Sequence, residues 1–266
     1  MNIKQEIEKY VDENDQIYLN DINIDPKSIK AIMINEVVPA DPNNDFYGLE
    51  DAAYMETTIP LFQKAGIEVT NIQDILSYGI YLTNAIKIPK LETTISNDSI
   101  EKSLPYLEKE LTLFPNVQVI MLMSDVAKKC FNRITKKSTK RNIVPAISTY
   151  KLRNTELYYQ NIRIMPSYIM TGKNILIEKS KVRMAAEDLA IMYEIISDQY
   201  LHTSFSFTKN DYSKEGIVIL GLSSCFIMLR QKSLCIHQCK SSLNPASKLI
   251  SGLPNAFSKS VEVTSS

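Results

Sequence analysis

The segment Val117-Gln118-Val119-Ile120-Met121-Leu122-Met123 decides the fold class of this chain of 266 residues. Apolar residues occupy both alternating sets of its positions, which is typical of a strand covered on both faces in a parallel sheet. Ser124-Asp125 follows directly and predicts a helix over about residues 126–136, because short polar side chains cap the free N–H groups of a first turn. A buried strand that leads straight into a helix indicates an α/β protein.

The alternation of strands and helices continues in both directions from this segment. Helical spacing of apolar residues, with stop signals at Gly66 and Pro115, separates the short apolar runs. Strands joined by helices imply crossover connections, a parallel sheet and helices on both of its faces. The predicted strands are residues 28–38, 79–86, 117–123 and 161–165, and the predicted helices are residues 2–13, 52–65, 100–113, 126–136 and 180–200.

Polar segments follow the predicted strands, at the sheet edge where ligands of such folds bind. After the first strand come Asn35-Glu36-Val37-Val38-Pro39 and then Asp45-Phe46-Tyr47-Gly48. A carboxylate here could position a water molecule, and an aromatic ring could stack on a planar base. The alternative is an ordinary loop, in which Asn and Asp serve turn geometry, and the composition of the loop by itself favours that alternative.

Two further segments at this edge carry polar side chains. The amide of Asn84, at the end of the second strand, can donate and accept at once, which suits the edge of a nucleobase; the alternative is a capping or turn asparagine. After the fourth strand, Ser167 and Lys173, with nearby backbone N–H groups, could hold a phosphate. The alternative there is a connection that ends in a helix N-cap.

The composition excludes several kinds of site. The 266 residues include only 7 Gly and 2 His, and no two glycines form G-x-G, so a glycine-rich phosphate loop and a histidine-rich metal site are not expected. Cys225, Cys235, Cys239 and His237 do not have the spacing of a zinc or iron–sulfur site. We therefore predict no metal and no cofactor.

The ends of the chain bear on its location and domain organisation. The N-terminus is charged from Lys4 onward, and the longest apolar run, Ile217–Leu229, is shorter than the roughly 20 residues of a membrane span. We expect a cytoplasmic monomer with no membrane segment. Residues 205–266 contain 13 Ser and show no clean period. The predicted division is an α/β domain over residues 1–204 and a poorly ordered Ser- and Cys-containing tail over residues 205–266.

The formal net charge of zero conceals a strong segregation of charge. Residues 1–60 carry 4 basic and 13 acidic side chains, whereas residues 128–141 carry 7 basic side chains and no acidic one. Such a run is either a solvated helix face or a surface for the phosphate backbone of a nucleic acid, whose binding is electrostatic. The basic side chains of the run are Lys128, Lys129, Arg133, Lys136, Lys137, Lys140 and Arg141.

In their order along residues 28–200, these segments resemble the motifs of the uracil-DNA glycosylase superfamily, and the likeness is to a divergent bacterial or archaeal group within it. Residues 35–39 resemble its Gly-Glu-Ala-Pro-Gly motif, and residues 45–48 resemble the Pro-Phe-Val-Gly that follows. Residues 83–87 resemble Thr-Asn-x-x-Lys, residues 119–127 resemble the third strand and its Gly-x-x-Ala turn, and residues 165–168 resemble His-Pro-Ser-Tyr.

The resemblance implies a three-layer α/β/α fold with a central four-stranded parallel sheet. It also implies hydrolysis of the N-glycosidic bond of a flipped uracil or damaged base in DNA, as in base excision repair. Glu36 would orient water or stabilise the sugar cation, Phe46 with Tyr47 would stack on the base, and Asn84 would bind its edge. Ser167 would contact a phosphate, and the basic run with Lys173 would hold the DNA.

One departure from the family pattern keeps other functions open. Met165 occupies the motif's histidine position, and a thioether cannot donate a hydrogen bond to the departing base anion. The loss of such a donor costs roughly 10²–10³ in rate. One alternative is therefore a catalytically weak or inactive protein of the same fold that binds DNA or a nucleobase. The other alternative is a nucleoside hydrolase.

Overall fold

The chain forms two compact units, Met1–Thr203 and Ser204–Ser266, in the computed structural model. The structure describes residues 1–11, 16–91 and 94–197 of the first unit and four strands of the second. Among these residues, no helix combines the length and the apolar character that crossing a membrane requires.

The first unit contains a five-stranded sheet, so the α/β class is confirmed but the predicted number of four strands is wrong. The strand order is β2-β1-β3-β5-β4, in which the first four are parallel and β4 runs antiparallel to β5. The strands are β1 (Ala31–Val37), β2 (Ile80–Ile86), β3 (Val119–Leu122), β4 (Leu157–Tyr159) and β5 (Ile162–Pro166).

The additional strand arises from a hairpin that the sequence did not reveal. Gln160 and Asn161 connect β4 to β5, and both have positive φ, at 49° and 67°. Two consecutive residues of this kind form the turn that matches the twist of paired strands, but its usual sequence signal is Asn-Gly or Asp-Gly. Gln-Asn lacks the glycine, which is why the edge strand was not predicted.

Helices flank the sheet in the order expected for crossover connections. All five predicted helices are present with shifted ends, and three short helices were not predicted. One of these begins with a capping box formed by Asn71 and Asp74. The helices are α1 (Ile3–Glu8), α2 (Ala53–Lys64), α3 (Ile72–Ser77), α4 (Asn97–Leu111), α5 (Asp125–Thr139), α6 (Thr149–Leu152), α7 (Asn174–Ile177) and α8 (Lys179–Ser197).

Two hydrophobic cores, one on each face, hold the sheet between its helices. Ile32 and Ile34 of β1 pack into the core that contains side chains of α1, α4 and α5. Ala31 and Met33, at the alternate positions, pack into the core that contains side chains of α2, α3 and α8. Because successive strand residues point to opposite faces, β1 is buried on both sides, and the first unit has three layers.

The second unit contains a four-stranded sheet in the order β6-β7-β8-β9. The strands are β6 (Val218–Leu222), β7 (Cys225–Arg230), β8 (Ser233–Gln238) and β9 (Val261–Glu262). Neighbours β6, β7 and β8 are antiparallel, and β9 is parallel to β8. The remainder of the tail predicted over residues 205–266, including Cys239, lies outside the described residues, as do the side chains of these strands.

Candidate functional site

Four polar side chains form a buried hydrogen-bond chain at the carboxyl edge of the sheet. Asn35 lies opposite Asn84 in the register of β1 and β2. Thr171 donates to Asn35 Oδ1 (3.1 Å), Asn35 donates to Asn84 Oδ1 (2.8 Å), and Asn84 donates to Asp45 Oδ2 (2.7 Å). All four residues are buried. We call this group the amide–carboxylate chain. It joins the ends of β1 and β2 to the loops that follow β1 and β5.

The electrostatics of this chain centre on Asp45. Burial away from water disfavours the charged carboxylate and raises its pKa from 3.8 to about 6. The hydrogen bonds from Asn84 and from the Phe46 backbone N–H act in the opposite direction but are the smaller effect. The pKa of the Asp45 carboxyl group is therefore close to neutral pH. The same group accepts the hydrogen bond that orients the amide of Asn84.

The amide of Asn84 keeps part of its hydrogen-bonding capacity. Each Asn side chain has two N–H donors and two oxygen lone pairs. Asn35 and Asp45 use one of each, so one donor and one acceptor remain for the edge of a base. Asn84 is only 2% exposed, so a base must displace surrounding side chains to reach it.

Glu36 follows Asn35 on β1 and is half-buried. Among the described residues, its carboxylate has no hydrogen-bond or ion-pair partner. A carboxylate that is shielded from bulk water but not bound by the protein can accept a hydrogen bond from a water molecule or stabilise a nearby positive charge. The carboxylate of Glu36 can therefore serve in either of these two roles.

The two aromatic residues predicted to stack on a base are packed into the protein. Phe46 is 2% exposed, and its ring lies against the ring of Tyr54, with a centroid separation of 5.3 Å. Tyr47 is half-buried, and its hydroxyl oxygen accepts from the Leu82 N–H of edge strand β2 (3.0 Å). The residue that follows, Gly48, has no room for a side chain, because a Cβ there would lie 2.0 Å from the Asn43 carbonyl oxygen.

Of the two residues predicted to contact phosphate, Ser167 has its hydroxyl group engaged in a hydrogen bond within the protein, whereas Lys173 is exposed. Ser167 donates its hydroxyl proton to Asp188 Oδ2 (2.6 Å), and Asp188 also accepts from Arg153. A phosphate at Ser167 would need a donor other than this hydroxyl. Lys173 is 85% exposed and lies 3.8 Å from Glu56. Met165 is buried in the core on the α2 and α8 face.

A buried ion pair lies near Asp45 of the amide–carboxylate chain, close enough for both of its charges to act on the Asp45 carboxyl group. Lys87 Nζ lies 2.5 Å from Glu110 Oε2 of α4, and the two side chains are 2% and 0% exposed. Thr83 and Tyr81 also donate to Glu110, and Lys87 donates to Thr83. The Lys of the Thr-Asn-x-x-Lys segment is thus held by the core. The hydroxyl groups of Tyr81 and Thr83 supply the additional hydrogen bonds that a buried charge pair requires.

The basic run forms most of one helix and is partly neutralised by nearby acids. Lys128 is buried and pairs with Asp125 (2.5 Å), Arg133 pairs with Glu101, and Lys137 pairs with Glu108. Lys129 donates to Asn97 Oδ1 (3.0 Å), and Lys140 takes a left-handed conformation that ends α5. In the described part of the chain, the side chains of the run without an acidic partner are Lys129, Lys136, Lys140 and Arg141.

One face of α5 lines a cleft of about 880 Å³. Residues of the segment 142–150, which hydrogen-bonds to α5 through Val144 and Thr149, complete the lining together with Tyr168 and Lys181. The α5 residues that face the cleft are spaced by three or four, as one side of a helix requires. We call this cavity the α5 cleft; its α5 residues are Asp125, Lys128, Lys129, Asn132, Arg133 and Lys136.

Several site residues were not selected from the sequence. Asn35 interrupts the apolar run of β1, and a polar residue inside a buried strand is the signal that could have identified it. Glu110 and Asp188 lie in helices, and Arg153 follows α6; each has charged residues nearby in the sequence, and no local pattern distinguishes them. Thr171 is 136 residues from the Asn35 that it contacts, so only the fold brings the two together.

No protein-family model matches the chain, and no curated protein matches it significantly. In the described residues, no group of three or more His, Cys, Asp and Glu side chains has an arrangement that could hold a metal ion.

Proposed function

We propose that this chain hydrolyses the N-glycosidic bond of a flipped uracil or damaged base in DNA. The observation that carries the proposal is the juxtaposition of Asn35, Asp45 and Asn84 at one edge of the sheet. The three residues come from separate sequence segments that each resemble a motif of the same superfamily. Recognition of a base edge requires a side chain that both donates and accepts hydrogen bonds and is held in one orientation. The hydrogen bonds of Asn84 with Asn35 and Asp45 support that role.

The chemistry would proceed in an order set by the surroundings of each group. The base leaves the DNA stack, as it must before a glycosylase can act on its sugar bond. Asn84 would bind the base edge, and Phe46 would turn from the Tyr54 ring to stack on the base. Glu36 would orient the attacking water molecule or stabilise the developing positive charge on the sugar.

The direct test is base release from a labelled uracil oligonucleotide, detected by alkaline cleavage of the abasic product. Single-stranded and duplex substrates are compared, and Glu36→Gln is expected to lower the rate about 10²- to 10³-fold. Glu50→Gln, which alters an exposed carboxylate in a neighbouring segment, is the matched control and should keep full activity. Absence of product at high enzyme concentration would contradict the proposal.

Met165 favours a second candidate, a protein of the same fold that binds DNA without cleaving it. Its thioether provides no hydrogen-bond donor for a departing base anion, and its side chain is packed in the core. The second candidate predicts salt-dependent DNA binding together with no base release. Turnover of free deoxyuridine without DNA would contradict both candidates and favour nucleoside hydrolysis.

A further inference from the structure

We propose that the α5 cleft holds a short single-stranded segment of DNA beside the base that is processed. The inference deepens the proposed function, on which it rests, by assigning the cleft to unpaired strand rather than to duplex. It depends on the charge, the aromatic residues, the length and the position of the cleft.

The charge of the cleft favours a polyanion. Lys129 and Lys136 line the cleft without an acidic partner in the described residues, whereas Arg133 is paired with Glu101 and Lys181 with Glu178. Asp125 is the one acidic residue in the described lining. Asp125 is paired with Lys128, so its charge is already compensated. Each of these two unpaired lysines can neutralise a phosphate and release its counterion.

The tyrosines of the cleft favour unpaired bases over a duplex. Tyr150, which is 65% exposed, and Tyr168, which is half-buried, both line the cleft. An exposed aromatic ring stacks on any base that has a free face, without regard to sequence. In a duplex the faces of the bases are covered by their neighbours, so a tyrosine cannot use them without unstacking the strand.

The length and position of the cleft suit a few nucleotides that lead to the site. From Asp125 to Lys136 the helix rises about 16 Å, which corresponds to about four or five nucleotides at about 3.4 Å per step of one strand. Tyr168 lines the cleft, and Thr171, three residues later, donates to Asn35. Three residues span at most about 11 Å, so at least one lining residue of the cleft lies within that distance of a member of the amide–carboxylate chain.

The experiment measures binding of the full-length chain to a labelled 12-nucleotide strand without uracil, by fluorescence anisotropy at several salt concentrations. Tyr150→Ala is expected to weaken binding between about fivefold and a hundredfold, and Tyr150→Phe, which keeps the ring, should bind like the wild type. Lys136→Ala is expected to lower the salt slope by about 0.7. Lys64→Ala, which alters an exposed lysine of α2 outside both the basic run and the cleft lining, is the matched control and should leave the slope unchanged.

The same strand annealed to its complement should bind more weakly than the free strand. Equal affinity for duplex, together with no effect of Tyr150→Ala, would overturn the proposal. Displacement of the strand by micromolar thymidine monophosphate would also overturn it, because the cleft would then be a mononucleotide site. Base release is assayed separately on uracil DNA, so failure of the glycosylase activity is distinguishable from failure of strand binding.

Discussion

At the scale of single residues, Asp45 makes the stability of the fold depend on pH. Its pKa is about 6 in the folded chain, against 3.8 for an ordinary aspartate, because burial disfavours the charged form. Between these values the folded chain holds a proton that the unfolded chain has lost. The free energy of unfolding therefore falls as the pH rises from about 4 to 6, by about 3 kcal/mol in total, and then levels off.

Urea unfolding at several pH values tests this linkage. Relative to Asp45→Asn, which cannot titrate, the wild type is expected to lose about 3 kcal/mol between about pH 4 and pH 7. Asp51→Asn alters an exposed carboxylate and should preserve the wild-type pH dependence. Parallel pH profiles for the wild type and Asp45→Asn would contradict the assignment.

The Lys87–Glu110 pair is buried in the core, with side chains that are 2% and 0% exposed. Removing one partner leaves a buried charge without compensation, so Lys87→Met is expected to cost about 3–5 kcal/mol. The exposed pair Lys137–Glu108 offers a matched comparison, because Lys137→Met should cost about 0–1 kcal/mol. Chemical denaturation of both variants and of the double variant Lys87→Met/Glu110→Leu measures the coupling. A double variant no more stable than Lys87→Met would contradict the pairing argument.

At the scale of elements, α5 depends on its N-cap. The Ser124 hydroxyl accepts from the Ala127 N–H (2.9 Å), whereas Ser148, which precedes α6, makes no side-chain cap hydrogen bond. Ser124→Ala is therefore expected to cost about 1 kcal/mol of unfolding free energy and Ser148→Ala about nothing. Urea titration followed by circular dichroism compares the two, and Ser124→Asp should restore the cap. Equal losses for both alanine variants would exclude a specific capping role.

The four parallel strands and five of the helices, α1, α2, α4, α5 and α8, could be predicted because their signals are local. Each predicted strand begins and ends within three residues of the observed one. The reason is that the apolar run of a strand and the turn residues that flank it are neighbours in the sequence. β4 was missed because Gln160-Asn161 adopts a turn conformation that most sequences reach with glycine. α3 was missed although Asn71 and Asp74 have the spacing of a capping box.

At the scale of the whole molecule, the first unit has the contents of an independent domain. Met1–Thr203 includes both hydrophobic cores and all five strands of the larger sheet. A chain ending at residue 203 is expected to melt cooperatively within about 4 °C of the full chain, a shift that corresponds to about 1 kcal/mol at this size. A chain ending at residue 178 lacks α8, with Leu189 and Met192 of the core, and should not fold. Calorimetry of the three chains provides the comparison.

The amino-acid sequence by itself determined the α/β class, the parallel strands and the sheet edge at which the polar motifs meet. These features follow from periodicity and turn residues, which act over a few positions. The tertiary structure alone decided the partners: Glu110 for Lys87 across 23 residues, Thr171 for Asn35 across 136, and Asp188 for Ser167. A side chain's hydrogen bonds and its pKa depend on which distant groups share its burial, and packing sets that proximity without any local signal in the sequence.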